Sequence, residues 1–325
     1  MKSLPCEIKK ILIISLSNIG DIILTFPVMD VLKNHFPAAK VSVMVGPKGE
    51  SLFVGNPHFK KVYIFQKKTS VREKLSLIFD LRREGFDLVV DLRHTAIPVL
   101  MGARYRTAIW LNIDRRRHKR FQHLDRLNSV VPFTEYPRQQ FCFKGEPTDE
   151  KSVQGFLKDS EQRLVVVSPG AAAEYKRWPE ASFVEVCDRL VEQTGVKIVF
   201  VGDHNDVPVA ERVSRGMKRP SLDLSGKTTL PQLAAILRRA SLVLANDSGV
   251  MHMASYLNIP TLALFGPTDP NQYGPWSDRA VVVRNNSSCP ACQIPKRELK
   301  HDCMRSILPA EVLEKISPLL KDILF

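Results

Sequence analysis

The sequence predicts an α/β protein of two domains, each built on a doubly wound parallel sheet. Three observations predict it. Short apolar runs rich in Val, Ile and Leu alternate with segments of helical periodicity. The alternation fades between about residues 112 and 161 and then restarts. Several of the apolar runs end in polar, glycine-containing loops, which is where open α/β sheets bind ligands. A length of 325 residues also exceeds a usual single domain.

In the first half, Lys10 to Leu16 reads as a buried strand and Ser17–Asp21 as a polar turn. Ile22 to Phe36 has helical spacing, with Pro27 tolerated early in the helix. Further strands are expected at 41–45, 62–65, 86–91 and 105–110, with an amphipathic helix at 71–84. The run Arg115 to Arg120 is strongly basic, and 132–149 carries several prolines. We therefore expect a first domain of residues 1–155 and a second of 156–325.

The second half opens with a strand at 164–167 that ends in Ser168-Pro169-Gly170. Helices are expected at 179–193, 207–215, 230–240 and 309–320, and strands at 197–201, 221–224 and 280–283. Its centre is the stretch from Ser241 to Asp269: a strand, the loop Asn246-Asp247-Ser248-Gly249, a helix over 250–257, and a strand over 261–265. Asp247 or Ser248 is placed to cap that helix. A helix start with a glycine beside it is a natural anion site. There is no close internal repeat and no low-complexity tract.

Forty-seven Lys and Arg against 34 Asp and Glu give a formal charge of +13. That favours an anionic partner: a nucleotide, a phosphorylated glycan, an acidic membrane surface or nucleic acid. No nucleic-acid-binding motif accompanies the charge. No run of about 18 apolar residues is present, so no membrane span is expected. The short apolar run near the amino terminus does not read as a signal peptide, and a cytoplasmic location is expected.

Asp21 stands at the start of a helix. It is either a first-turn acid favoured by the helix dipole or a general base aimed into an interdomain cleft. Lys176 could reach a diphosphate or be a solvated surface lysine. Asp203 and Asp206 could bind ribose hydroxyls or cap the following helix. His252 lies in the first turn after Gly249; alone, such a histidine is more often a satisfied structural residue than a catalyst. Cys289, Cys292, His301 and Cys303 have the composition of a Cys3His zinc set, but a single isolated cluster of this kind reads first as reduced structural cysteines or a redox-sensitive pair. No Asp-x-Asp triplet occurs, so a metal is not expected.

Four stretches, in this order, resemble glycosyltransferase family 9, the bacterial heptosyltransferases of lipopolysaccharide core assembly. They are Gly20-Asp21 with Ile22 to Pro27; Ser168-Pro169-Gly170 with Lys176 to Pro179; Asn246 to Gly249 with His252; and Leu264 to Pro270. The resemblance implies a GT-B fold, with an acceptor-binding first domain and a nucleotide-sugar-binding second one. The final helix is expected to pack back on the first domain. The resemblance further implies inversion at the anomeric carbon and an ADP-sugar donor, usually ADP-L-glycero-D-manno-heptose, with no cofactor required. Asp21 matches the family's proposed base. Lys176 matches a lysine that offsets charge on the departing diphosphate. Asp247, Ser248, Gly249, Val250, Met251 and His252 match the donor loop. Arg93, Arg115, Arg117 and Arg120 are candidates to meet acceptor phosphates or Kdo carboxylates, or form a solvated basic loop. Peripheral contact with the anionic inner leaflet would suit the charge. Competing readings are a sugar-nucleotide epimerase of similar build, a non-catalytic sugar-nucleotide-binding protein and a basic nucleic-acid-binding protein.

Overall fold

A computed structural model describes residues 8–66, 68–136, 141–143, 147–157, 162–284 and 303–324. The chain divides into two units, Met1–Lys144 and Gly145–Phe325.

The first unit contains strands β1 (Lys10–Ile14), β2 (Lys40–Val45), β3 (Phe59–Ile64), β4 (Leu88–Asp91) and β5 (Tyr105–Arg106). They form one sheet in the order β3-β2-β1-β4-β5, with every pairing parallel. Its helices are α1 (Ile19–Ile23), α2 (Phe26–His35), α3 (Val71–Glu84), α4 (Ile97–Leu100) and α5 (Lys119–Asn128). The central strand β1 is KILII, buried after its first residue. A strand covered on both faces has no reason to alternate, so it reads as an unbroken apolar run.

The single helix expected at 22–36 is two helices. Thr25 interrupts it: its hydroxyl donates to the Ile22 carbonyl at 2.6 Å, and Pro27 in the next turn has no N–H to continue the ladder. The strand expected at 105–110 stops at Arg106. The Asp91 N–H that would pair onward is taken by the Thr107 hydroxyl at 3.0 Å, so a side chain closes the ladder. α3 is bounded as its sequence implies. Ser70 and Glu73 form a reciprocal capping box, and Gly85 ends the helix at φ 65°.

The second unit contains β6 (Leu164–Ser168), β7 (Lys197–Phe200), β8 (Ser221–Asp223), β9 (Ala240–Asn246), β10 (Thr261–Phe265) and β11 (Ala280–Arg284). The order is β11-β10-β9-β6-β7-β8, again parallel throughout. Its helices are α6 (Pro147–Leu157), α7 (Glu180–Thr194), α8 (Val207–Gly216), α9 (Leu230–Arg239), α10 (Gly249–Tyr256), α11 (Pro270–Tyr273) and α12 (Pro309–Leu324). The order changes direction at β6 and β9, so the loops after these two strands flank the switch point.

The boundary between the units differs from expectation. The units divide ahead of residue 155, because α6 belongs with the second unit, where Glu150 pairs with Arg239 of α9 at 3.1 Å. The described side chains of α12 serve the second unit as well. Val312, Ile316 and Leu320 join a core with Leu242, Leu264 and Val283.

Candidate active site

In the second unit the site is built at the ends of β6 and β9. Asn246, the last residue of β9, is fully buried and braces both loops. Its Nδ2 donates to the Pro169 carbonyl at 2.8 Å, and its Oδ1 accepts from the Trp178 N–H at 3.1 Å. Trp178 is itself buried, edge-on to Phe183, and its indole Nε1 donates to the Ile307 carbonyl at 3.0 Å. The Arg177 guanidinium curls back to the Ala171 carbonyl at 3.0 and 3.2 Å. The segment from Ser168 to Trp178 is thereby fixed as one piece.

That fixing sets Lys176 beside the β9 loop. Its Nζ lies 2.6 Å from Asp247 Oδ2, with Asp247 8% and Lys176 24% exposed. One of three ammonium donors is engaged, and the side chain still reaches solvent. Ser248 adopts extended backbone and caps α10, its Oγ accepting from the Met251 N–H at 3.5 Å. So the cap is Ser248, while Asp247 holds the lysine. The first turn of α10, beginning at Gly249, turns its N–H groups toward the same loop.

The other donor-loop candidates separate by burial. Val250 and Met251 are core side chains, so they can offer a ligand only backbone. His252 is buried and stacked on Trp276, ring centroids 6.1 Å apart and planes 29° apart. Trp276 carries no motif signal in the sequence. It is placed by the Ser255 hydroxyl, which accepts from the Trp276 and Ser277 N–H groups at 2.6 and 3.1 Å.

Asp206 is structural. Its carboxylate accepts from the Asp203 N–H at 3.1 Å and lies where a Cβ on Gly170 or on Gly202 would stand, which requires glycine at both positions. Burial, then the neighbouring Asp203, raises its pKa above the ordinary carboxylate value.

Of the cysteine cluster, Cys289, Cys292 and His301 lie outside the described residues. Cys303 is a buried thiol packed with Met304 against Gly266, where a Cβ would come within 2.9 Å of Met304. Among the described residues no group of three or more His, Cys, Asp or Glu could hold a metal.

In the first unit Asp21 is a first-turn acid of α1, half-buried, accepting from Asn18 Nδ2 at 3.0 Å. The loop ahead of it is held close to the β2 loop, where a Cβ on Gly46 would fall 2.8 Å from Ser17.

The basic candidates do not form one patch. Arg117 pairs with Asp125 at 2.7 Å and lies over the Phe121 ring, which Arg120 also covers. Arg115 is exposed, and its carbonyl accepts from Gln122. Arg93, by contrast, follows β4 and has a buried Nη1 with no hydrogen-bond partner among the described residues.

Two residues that the sequence did not single out join Arg93 around Asp91. Arg126 is almost wholly buried, donates to the Ala108 carbonyl at 3.0 Å and lies 2.7 Å from the His94 ring. His94 takes φ 60°, a conformation unusual for a non-glycine residue. Burial lowers the pKa of Arg93, His94 and Arg126, and Arg126 lowers that of His94 further. The Asp91 carboxylate is already occupied by the Arg93 and Thr95 N–H groups and the Thr95 hydroxyl.

Two parallel sheets of this kind, one in each unit, are the build of the GT-B fold, and the second carries a lysine and a capped helix start at its switch point. A family model described as glycosyltransferase family 9 (heptosyltransferase) matches residues 75–301, and the chain belongs to that family. It is 26% identical to lipooligosaccharide heptosyltransferase 2 of Haemophilus influenzae over 348 residues, covering 95% of this chain and 99% of that one. It is 27% identical to lipopolysaccharide heptosyltransferase 3 of Escherichia coli, covering 81% of this chain and 85% of that one. The solved structure of E. coli ADP-heptose lipopolysaccharide heptosyltransferase II superposes with a TM-score of 0.79 at 22% identity, covering 97% of this chain and all of the other.

Proposed function

We propose that this chain transfers a heptose, with inversion, from ADP-L-glycero-D-manno-heptose to the inner core of lipopolysaccharide, on Kdo-lipid A or an already heptosylated acceptor. The reading is carried by the Lys176–Asp247 pair beside the Ser248-capped start of α10. The departing group is a nucleoside diphosphate, and negative charge grows on it as the anomeric C–O bond breaks. An ammonium held by a buried carboxylate, next to helix N–H groups, is preorganised for that charge. The names of the relatives, which are heptosyltransferases acting on lipopolysaccharide or lipooligosaccharide, support the choice of donor and acceptor.

In this reading Asp21 takes the proton from the acceptor hydroxyl. The hydroxyl oxygen attacks the anomeric carbon on the face opposite the ADP, and ADP leaves with its phosphates against Lys176, Ser248 and the Gly249 N–H. Asn18 steadies the Asp21 carboxylate from one side. Asp21 belongs to the first unit and Lys176 to the second. His252 and Trp276 line the donor side, and Val250 and Met251 contribute only main chain. Arg93, Arg115, Arg117 and Arg120 meet the acceptor's phosphates or carboxylates, and buried Arg126 holds the His94 ring beside Arg93. The reaction needs no metal. The enzyme works in the cytoplasm, in peripheral contact with the anionic leaflet that holds its acceptor.

The test is a mass-spectrometric assay of ADP-heptose and other nucleotide sugars against truncated lipopolysaccharide acceptors. ADP release that depends on acceptor, and falls about 1,000-fold or more in Asp21→Asn while donor affinity changes less than about threefold, is the expected result. Undiminished turnover in that variant removes Asp21 as the base. Donor binding without turnover on any acceptor supports a sugar-nucleotide-binding protein instead. Product from another nucleotide sugar and none from ADP-heptose replaces the donor while leaving the family intact.

A further inference from the structure

α3 buries one face and leaves a second apolar face uncovered. Leu81 is fully buried, and Leu77 and Ile78 pack with it on the first sheet alongside Leu12, Ile14, Met44 and Val89. On the outer side Val71, Leu75 and Phe79 are 73%, 60% and 61% exposed. They stand four residues apart, so they make a single stripe about 12 Å long. α4 packs Ile97 into the same core and leaves Val99 and Leu100 exposed.

The charges around the stripe are asymmetric. At about 100° per residue, Arg72, Arg82 and Arg83 fall beside the stripe, whereas Glu73 and Asp80 fall behind it. All three arginines are exposed, and the Arg83 guanidinium lies 6.0 Å from the Phe79 ring centre. Glu73 is further occupied by the Ser70 cap. Exposed Lys68 adds a cation just ahead of the helix.

We infer that the Val71–Leu75–Phe79 stripe of α3, with Arg72, Arg82 and Arg83 beside it, is the surface that seats this enzyme on an anionic phospholipid bilayer. A helix lying in the bilayer plane sinks its apolar face about 5–10 Å into the headgroup boundary, while flanking arginines meet lipid phosphates. The stripe has that build. A second copy of the chain is a poorer occupant. A stable protein interface takes about 800 Å² from each partner, more than three partly exposed side chains supply. It would also bring like-charged arginines face to face. The inference deepens the membrane-contact part of the proposed function and is independent of which sugar is transferred.

The experiment is co-sedimentation of the full chain with vesicles of phosphatidylglycerol and phosphatidylethanolamine, against vesicles of phosphatidylcholine alone. It is run on the wild type, on Leu75→Ser/Phe79→Ser and on Arg72→Gln/Arg82→Gln/Arg83→Gln. Thermal unfolding confirms that the variants, changed only at exposed positions, stay folded. Expected is binding to the anionic vesicles that falls about tenfold or more in either variant. Turnover of a soluble acceptor fragment stays unchanged, and turnover of vesicle-embedded acceptor falls. Wild type that ignores anionic vesicles overturns the inference, as do variants that bind them like wild type. A wild-type dimer that Leu75→Ser/Phe79→Ser converts to monomer assigns the stripe to a second copy and also overturns it. Vesicle binding needs no donor or acceptor sugar, so these outcomes are read separately from a failure of the transferase reading.

Discussion

Replacing Lys176 by Met separates two roles that one side chain holds. At 2.6 Å the Lys176–Asp247 attraction is about 6 kcal/mol at an effective dielectric of about 20, before the cost of desolvating both ions. Because Lys176 retains contact with water, the net loss on removing it is nearer 1–3 kcal/mol, most of it the strain of a buried, unpaired Asp247. For a unit of this size that lowers the melting temperature by about 2–4 °C per kcal/mol. Loss of a cation at the leaving diphosphate should cost about 100–1,000-fold in kcat/KM. Adding Asp247→Asn removes the uncompensated charge. The double variant Lys176→Met/Asp247→Asn should therefore recover most of the melting temperature and none of the catalysis. Calorimetry and steady-state ADP release, run on both single variants and the double, complete the cycle. A double variant whose kcat/KM returns to within about threefold of wild type would refute the reasoning. It would mean that Lys176 acts only by neutralising Asp247.

Two further outcomes follow from the same geometry. Asn246→Ala leaves the Trp178 N–H and the Pro169 carbonyl unpaired in the interior, for a destabilisation of about 2–4 kcal/mol measurable by urea unfolding. Donor affinity, read by calorimetric titration with ADP, should weaken with it. His123 supplies a pH test: burial first, then the surrounding Lys119, Arg126, His94 and His118, push its pKa down to about 3. The unfolded chain then binds a proton below about pH 6.5 that the folded chain refuses. Stability should fall as pH drops from about 6.5 toward 4, and His123→Phe should flatten that fall in urea midpoints taken across the range.

How much of this was legible in the sequence depends on the distance over which each feature is decided. Strands β1, β9 and β10 are continuous apolar runs because parallel strands are covered on both faces, and such runs are visible in a short window. The cap of α10 is equally local, although the sequence left Asp247 and Ser248 as equal candidates. Only a lysine 71 positions away decides that Asp247 has other work. The break between α1 and α2 depends on which way one threonine hydroxyl turns, and the early end of β5 on another. Neither is a pattern. α6 lies where the alternation of strands and helices fades, and its place with the second unit rests on partners in α9. Asn246 is visible as a motif residue, but its role as a brace needs Pro169 and Trp178, which it meets across the sheet. Arg126 is more hidden still: a single arginine in a basic helix gives no sign that it will be buried against His94. Asp206 is open in the sequence to a ribose contact or a helix cap, and only the approach of Gly202 and of Gly170, which is distant in the chain, gives it a structural place.

The tie from the Trp178 indole to Ile307 has a consequence in time. The two groups are 129 residues apart in the chain, and the Gly266 turn waits in the same way for Cys303 and Met304. On a ribosome that adds about 5–20 residues per second, the loops after β6 and β9 emerge several seconds before the residues that lock them. The nascent second unit passes through a stage in which its sheet is nearly complete and the loops after β6 and β10 are not yet fixed. The final arrangement of the Lys176–Asp247 site thus arrives late in synthesis, once residues 303–316 have docked.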